Sequence, residues 1–168
     1  MKKILVAALA LLASVSVASA QDVRADRNGL YIGGAVGSSL RDNSQTAVGA
    51  AVGYQFHPNF RVEAAYDLDP RTNRDNGHLL MANAIAQYRI PTSVVTPYVL
   101  AGAGMGFDTY GKAANGDVTG VYNVGGGVRV AISTNVELDA RYRYIGHFDN
   151  APGLQSANMF TVGANWRF

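Results

Sequence analysis

The chain has 168 residues, 48% of them hydrophobic, and a formal net charge of +2. It contains no cysteine, which excludes a disulfide scaffold, a thiolate metal site and a cysteine nucleophile. Beyond the N-terminal segment, no apolar run reaches the ~18 residues expected of a transmembrane helix.

The first 20 residues have the composition of an export signal. Lys2 and Lys3 precede an apolar stretch at 4–13, and Ala18-Ser19-Ala20 is a small-residue cleavage site. The apolar stretch is too short to cross a bilayer, so we expect a cleaved signal peptide at 1–20 rather than an anchor. The mature domain is then expected to comprise residues 21–168.

Removal of the signal changes the charge of the protein. Two lysines are lost, which leaves 12 basic and 12 acidic residues. The remaining basic residues are scattered, whereas a nucleic-acid-binding surface needs them clustered, so we expect no nucleic-acid partner. Glycine makes up about 13% of the mature chain against a typical ~7%. Two classes remain: a soluble exported β domain and a β-barrel of an outer membrane.

Apolar and polar residues alternate with period two through most of the mature chain, which is typical of β-strands with unlike faces. In 138–144, Asp139, Arg141 and Arg143 alternate with apolar and aromatic residues. In 120–132, Val124 falls on the apolar face and Asn123 on the polar face. The pattern predicts eight strands, at 29–38, 46–57, 60–68, 79–90, 97–107, 119–132, 136–145 and 158–168.

The connections between these strands alternate between short turns and long polar loops. The turns are expected at 57–59, 91–96 and 133–135, and the loops at 39–45, 69–78, 108–118 and 146–157. Short turns on one side and long loops on the other are typical of outer-membrane barrels, which have an even strand count. Closure also leaves no backbone edge unpaired in lipid. We therefore predict an all-β, eight-stranded antiparallel up-and-down transmembrane β-barrel.

Aromatic residues near the strand ends are expected to form the interfacial girdles of such a barrel. They are Tyr31, Tyr54, Tyr88, Tyr98, Tyr142, Tyr144, Trp166 and Phe168.

Several motifs resemble the transmembrane-domain family of OmpA. They are the stretch 53–58 (GYQFHP) with Glu63 and Tyr66-Asp67 after it, the stretch 30–37 (LYIGGAVG), and the ending Trp166-Arg167-Phe168. The resemblance implies an eight-stranded barrel with its N-terminus in the periplasm. Because the chain stops at Phe168, we expect the family's peptidoglycan-binding domain to be missing.

The resemblance also implies a salt-bridge gate in the lumen that includes Glu63. The family's partner arginine falls at Asp139 and a lumenal glutamate falls at Arg129, so these two charges are exchanged here. Arg129, Arg141 or Arg143 is expected to replace the usual partner of Glu63.

The polar face of the strands supplies the candidate lumenal residues. They are Arg61, Glu63, Asp67, Asn83, Gln87, Arg89, Arg129, Asp139, Arg141, Arg143, Asn165 and Arg167. Within this set we expect a charge network of Glu63, Arg89, Arg129, Asp139, Arg141, Arg143 and Arg167. Side chains fill the interior of eight-stranded barrels, so these charges are expected to pair and fill the lumen. The alternative is a small ion pathway, because rings of charge set selectivity in pores.

Catalysis and cofactors are not expected. The stretch 146–151 is similar to the His-x-Ser-Asn-Ala segment of outer-membrane lipid A deacylases. However, Asp149 stands at the nucleophile position and no glutamate follows Glu137 to orient His147, although this chemistry needs both groups. The acidic loop residues lack the oxygen-ligand spacing of a calcium loop, and the three histidines lack metal-ligand spacing.

The C-terminal residues resemble the recognition sequence that the barrel-assembly machinery reads. This signal consists of Phe160, Val162, Ala164, Trp166 and Phe168. We expect a monomeric structural protein of the Gram-negative outer membrane, in contact with lipid and lipopolysaccharide, that displays four surface loops. The alternatives are a low-conductance porin-like channel and an adhesin or host-contact surface protein.

Overall fold

The computed structural model describes residues 28–39, 45–70, 76–91, 93–108, 118–148 and 156–168. The expected signal peptide at 1–20 and most of the four expected loops lie outside the described residues. No helix in the described part of the chain is long and apolar enough to cross a membrane.

Eight antiparallel strands form a closed barrel in which each strand pairs with the next and the last pairs with the first. The strands are β1 (Gly29–Ser39), β2 (Gln45–His57), β3 (Phe60–Pro70), β4 (Asn76–Gln87), β5 (Val95–Asp108), β6 (Val118–Ala131), β7 (Val136–His147) and β8 (Ala157–Arg167). The predicted fold class is confirmed. We call the end with the short β2–β3, β4–β5 and β6–β7 connections the turn end, and the opposite end the loop end.

All eight strands extend further toward the loop end than predicted, and β3, β4 and β7 do so by two or three residues. The β3–β4 ladder continues to the pair Pro70↔Asn76, and β7 continues to His147, opposite Val121. Backbone pairing needs no apolar side chain, so it continues beyond the alternation from which the bounds were predicted. At the turn end β4 finishes at Gln87, three residues before the predicted bound.

Pro97 lies inside β5, where a proline would ordinarily interrupt the ladder. Its carbonyl accepts a hydrogen bond of 2.9 Å from the backbone N–H of Tyr88. The N–H and C=O groups of a strand residue point to the same side, so the missing N–H faces β4. Because the missing N–H faces β4, the proline removes no hydrogen bond between β5 and β6. Toward β4, regular pairing already ends at Gln87↔Tyr98.

The alternation separates a lumen from an outer surface. Asn123 is 1% exposed in the lumen, and its neighbour Val124 is 49% exposed on the outer surface, as predicted. Tyr54 and Trp166 are exposed near the turn end and Tyr142 nearer the loop end. These positions suit the girdles that the sequence predicts.

Two of the predicted girdle residues are wrong. Tyr31 and Tyr98 are buried in the lumen. Each lies at one of the alternate positions of its strand whose side chains face the lumen. The hydroxyl of Tyr31 donates a hydrogen bond to Glu63 and that of Tyr98 donates one to Asp139. The parity of a position therefore outweighs the tendency of tyrosine to lie at a membrane interface.

Candidate functional site in the barrel lumen

Three ion pairs cross the lumen between β3 and β7, which are four strands apart in either direction around the barrel. We call them the cross-lumen ion pairs: Arg61–Glu137 at 2.9 Å, Glu63–Arg141 at 2.7 Å and Asp67–Arg143 at 2.8 Å. In each pair both terminal nitrogens of the arginine donate to the two carboxylate oxygens. Such two-pronged pairs fix the geometry of both partners.

Small residues on four other strands make room for these long side chains. The lumen faces of β1, β2, β5 and β6 include many glycine and alanine residues: Gly33, Ala35, Gly37, Ala47, Gly49, Ala51, Gly53, Gly102, Gly104, Gly106, Gly125 and Gly127. A Cβ at Gly53 would overlap the ring of Tyr31, and one at Gly127 would meet the hydroxyl of Tyr98. Glycine at these two positions therefore permits the buried tyrosines.

Tyr98 links the central cross-lumen ion pair to a second pair. Its hydroxyl accepts a hydrogen bond from Arg141 Nε at 2.9 Å and donates to Asp139 Oδ1 at 2.7 Å. Arg129 donates to Asp139 Oδ2 at 2.9 Å, and its guanidinium lies 4.0 Å from the centroid of the Tyr98 ring. The arginine therefore also has a cation–π contact with the tyrosine.

The structure shows how the two exchanged charges are arranged. Arg129 and Asp139 lie directly opposite each other on β6 and β7 and form one cross-strand ion pair. Glu63 pairs with Arg141, and it also accepts hydrogen bonds from Tyr31 and Asn83. Of the three partners left open by the sequence, Arg141 is therefore the one that binds Glu63.

At the turn end, further polar contacts close the lumen. Glu137 accepts hydrogen bonds from both Arg61 and Arg167, and Arg167 Nη2 donates to Gln55 at 2.9 Å. Gln87 accepts a hydrogen bond from Arg129. The ends of six strands are thus connected by charged and amide side chains.

At the loop end, the lumen is filled by apolar side chains. We call this set the apolar cluster: Ala47, Ala65, Leu79, Met81, Val121, Ile145 and Met159. It contacts the outermost cross-lumen ion pair, because Arg143 Nη2 lies 3.2 Å from Met159 Sδ and Asp67 is directly opposite Leu79. The half of the lumen toward the turn end is therefore mainly charged, and the half toward the loop end is mainly apolar with one ion pair in it.

The predicted lumenal residues are buried, with one exception. Arg89 is half-buried and lies in the connection after β4, because that strand ends earlier than predicted. Sequence reasoning missed Glu137, Gln55, Tyr31 and Tyr98. Glu137 had a usable signal, since it shares the parity of Asp139 on β7.

The predicted assembly signal lies on the outer side of the barrel. Val162, Ala164 and Trp166 are exposed on the outer face of β8, Phe160 is half-buried there, and Phe168 follows the strand. No group of three His, Asp or Glu residues that could hold a metal ion occurs among the described residues.

Comparison with known proteins places this barrel in a family. The model of the outer membrane protein beta-barrel domain matches residues 7–168, and no curated protein sequence matches the chain. The N-terminal β-barrel domain of Pseudomonas aeruginosa OprF is 17% identical, with a TM-score of 0.69 over 84% of this chain and 98% of that one. Neisserial surface protein A is 18% identical, with a TM-score of 0.67 over 84% and 97%. The outer membrane enzyme PagL is 9% identical, with a TM-score of 0.58 over 82% and 99%.

These structural likenesses concern the fold alone, because proteins with different functions share it. The family match covers nearly the whole chain, and the closed barrel agrees with it. The chain belongs to the outer membrane protein β-barrel domain family.

Proposed function

We propose that this protein is a closed, non-enzymatic barrel of the Gram-negative outer membrane that contributes to membrane structure and displays four surface loops. It is exported through a cleaved signal peptide and acts as a monomer. The turn end faces the periplasm and the loop end faces the outside, as short turns and long loops do in this kind of barrel.

The closed lumen carries this proposal. A hydrated ion that crossed the lumen would have to separate the cross-lumen ion pairs and pass the apolar cluster. A cavity beside Gly49, Asp67 and Arg143 has a volume of about 30 Å³, which is room for only about two waters. Both observations favour a structural barrel over a low-conductance channel.

Planar-bilayer recording of the purified protein tests the closed lumen. We expect no stepwise conductance above that of a protein-free bilayer. A regular single-channel step that disappears when Glu63 and Arg141 are both replaced would support the channel instead. Detergent sensitivity of a deletion strain tests the structural role separately. A strain as resistant as its parent would contradict that role.

The position of His147 supports the absence of catalysis. This residue has lumen-facing parity at the end of β7, next to the apolar cluster, whereas a lipid deacylase must present its histidine to lipid. Mass spectrometry of lipid A from cells with and without the protein tests this point. We expect identical acylation, and loss of an acyl chain only in cells with the protein would contradict it.

We also propose that the barrel-assembly machinery reads the outer face of β8, and that lipid and lipopolysaccharide surround the finished barrel. Phe168→Ala is expected to reduce the amount of heat-modifiable barrel in the outer membrane. The matched control is Phe148→Ala, because both phenylalanines are equally exposed and only Phe168 belongs to the signal. Equal amounts of the two variants would contradict recognition of Phe168.

A further inference from the structure

The cavity beside Gly49 and Asp67 lies between the cross-lumen ion pairs and the wall that β1, β2 and β8 form. Its volume is about 30 Å³, which is room for about two waters. Glycines create this space, because a Cβ at Gly33 would overlap Asn165 Oδ1 and one at Gly49 would overlap Asp67 Oδ1. Six polar or charged side chains line it: Asp67, Asp139, Arg141, Arg143, Thr161 and Asn165.

Two of these side chains have a nitrogen without a hydrogen-bond partner. Asn165 is 6% exposed and its Nδ2 is unpaired, and Arg143 is 2% exposed and its Nε is unpaired. Both nitrogens donate hydrogen bonds and cannot accept them. The carboxylates that line the cavity already accept hydrogen bonds, Asp67 from both terminal nitrogens of Arg143 and Asp139 from a tyrosine and two arginines. The unmet requirement at the cavity is therefore for an acceptor.

The buried charges beside the cavity carry an excess of positive charge. Asn165 is directly opposite Glu137, and Glu137 Oε1 accepts hydrogen bonds of 3.0 Å from both Arg61 and Arg167. Two arginines thus share one carboxylate, and burial of an uncompensated charge is strongly unfavourable. Among the described buried side chains toward the turn end, four arginines face three carboxylates: Arg61, Arg129, Arg141 and Arg167 against Glu63, Glu137 and Asp139.

We propose that this cavity binds one chloride ion beside Asn165. A halide is a single-atom acceptor that also supplies one negative charge, so it meets both requirements at once. Water would meet only the first of them. Phosphate and sulfate have five heavy atoms and are too large for a space of about two waters.

The ion is enclosed when the barrel closes and is not conducted, which goes beyond the proposed structural role without opposing it. Asp67 and Asp139 also line the cavity and would repel an anion. The arginines bound to each of them offset that repulsion. The Nε of Arg143 provides a second donor toward the loop end of the cavity.

Anomalous diffraction tests the site with bromide as the probe. The mature protein is refolded and crystallised with bromide as the only halide, and we expect one bromine peak within hydrogen-bonding distance of Asn165 Nδ2. Asn165→Leu keeps a side chain of similar size without the donor and should lose the peak. Asn123→Leu is the matched control, because Asn123 is also buried in the lumen but does not line the cavity. It should keep the peak.

Thermal unfolding tests the same site without crystals. The protein is refolded in chloride or in methanesulfonate, a larger anion, at equal ionic strength. An ion that binds only the folded state raises the midpoint of unfolding. We expect a midpoint several degrees higher in chloride for the wild-type protein and Asn123→Leu, and equal midpoints in the two salts for Asn165→Leu.

Four results would overturn the proposal. They are water alone in the cavity, a bromine peak without a rise in the wild-type midpoint, which would mean binding at crystal concentration only, an effect that persists in Asn165→Leu, and an effect that disappears in Asn123→Leu. If Asn165→Leu does not assemble, the wild-type peak and the wild-type midpoints decide: both effects together support the site, and the absence of either contradicts it.

Discussion

The two halves of the lumen share the same strands and the same parity but are filled by opposite chemistry. Toward the turn end, arginines and carboxylates meet across the barrel in the Arg61–Glu137 and Glu63–Arg141 pairs. The third pair, Asp67–Arg143, lies at the level of the apolar side chains of the loop end. At the loop end, methionine, leucine, isoleucine and valine form the apolar cluster. The charged half depends on the presence of every partner, because a buried ion without its counter-ion is strongly unfavourable. The stability of the apolar half depends on how completely its side chains fill the space, so the loss of stability grows with the volume that a substitution removes.

Glu63→Gln is expected to have the largest effect. The substitution removes the carboxylate that binds both terminal nitrogens of Arg141. It leaves this buried guanidinium with only the longer contact to Asp139 at 3.4 Å, a carboxylate that Arg129 already binds. Breaking a buried pair costs ~3–5 kcal/mol. Denaturant unfolding in lipid vesicles measures the loss. The double variant Glu63→Gln with Arg141→Met removes both charges and should regain part of the stability. A double variant less stable than both single variants would show that Glu63 and Arg141 do not stabilise the barrel chiefly through their mutual ion pair.

Met81→Ala tests the apolar half in the same assay. Met81 is 1% exposed inside the cluster, while its neighbour Leu80 is 46% exposed on the outer surface. Truncation of a buried methionine to alanine leaves a cavity and costs ~2–5 kcal/mol. Leu80→Ala, the matched control, should cost clearly less because lipid tails can fill the space. Equal losses would mean that the cluster is loosely packed.

Val124→Arg tests which side chains of the barrel face lipid rather than the lumen. Val124 lies in the middle of β6 and Val118 at its loop end, and both are exposed on the outer side. A charge at the bilayer midplane costs ~2–4 kcal/mol and one near an interface ~0–1 kcal/mol. We therefore expect Val124→Arg to be less stable in vesicles than Val118→Arg. The reverse order would place the membrane at a different height on the barrel.

Tyr98→Phe is expected to have the smallest effect of the four. It removes the hydroxyl between Arg141 and Asp139 and keeps the ring beneath Arg129. Buried groups left without a hydrogen-bond partner cost ~1–3 kcal/mol. The control is Tyr142→Phe, since the Tyr142 hydroxyl donates to Asn158 on the exposed outer side and should matter less. If the two losses are equal, Tyr98 does not connect the ion pairs.

The strand count and the facing of most residues could be predicted because both follow from an alternation of period two. Asn123 and Val124 on β6 show this directly, since their opposite environments were evident from parity alone. The strand ends were less predictable. Pro70 and Asn76 continue the β3–β4 ladder through backbone hydrogen bonds, which leave no trace in hydrophobicity.

The pairing inside the lumen could be predicted only in part. The period-two alternation predicted that Glu63 and Arg141 both face the lumen. It left three arginines equally compatible with Glu63, because which of them can extend to Glu63 depends on the space left by glycines on other strands. The apolar cluster escaped prediction for a different reason. Met81 and Ile145 are apolar residues on the face expected to be polar. Their neighbours Leu80 and Tyr144 face outward and are apolar or aromatic too, so the difference in hydrophobicity between adjacent residues does not show which side chain faces the lumen.

The cross-lumen ion pairs also have a consequence for how the barrel forms and how many strands it has. Each pair joins residues 76 to 78 positions apart in the chain, so none can form before β7 has been synthesised and inserted. An incomplete barrel would expose Arg61, Glu63 and Asp67 without partners, which favours cooperative closure over stable partial insertion. A barrel of six or ten strands would no longer place β3 and β7 diametrically opposite. These pairs therefore select an eight-stranded barrel over its neighbours in size.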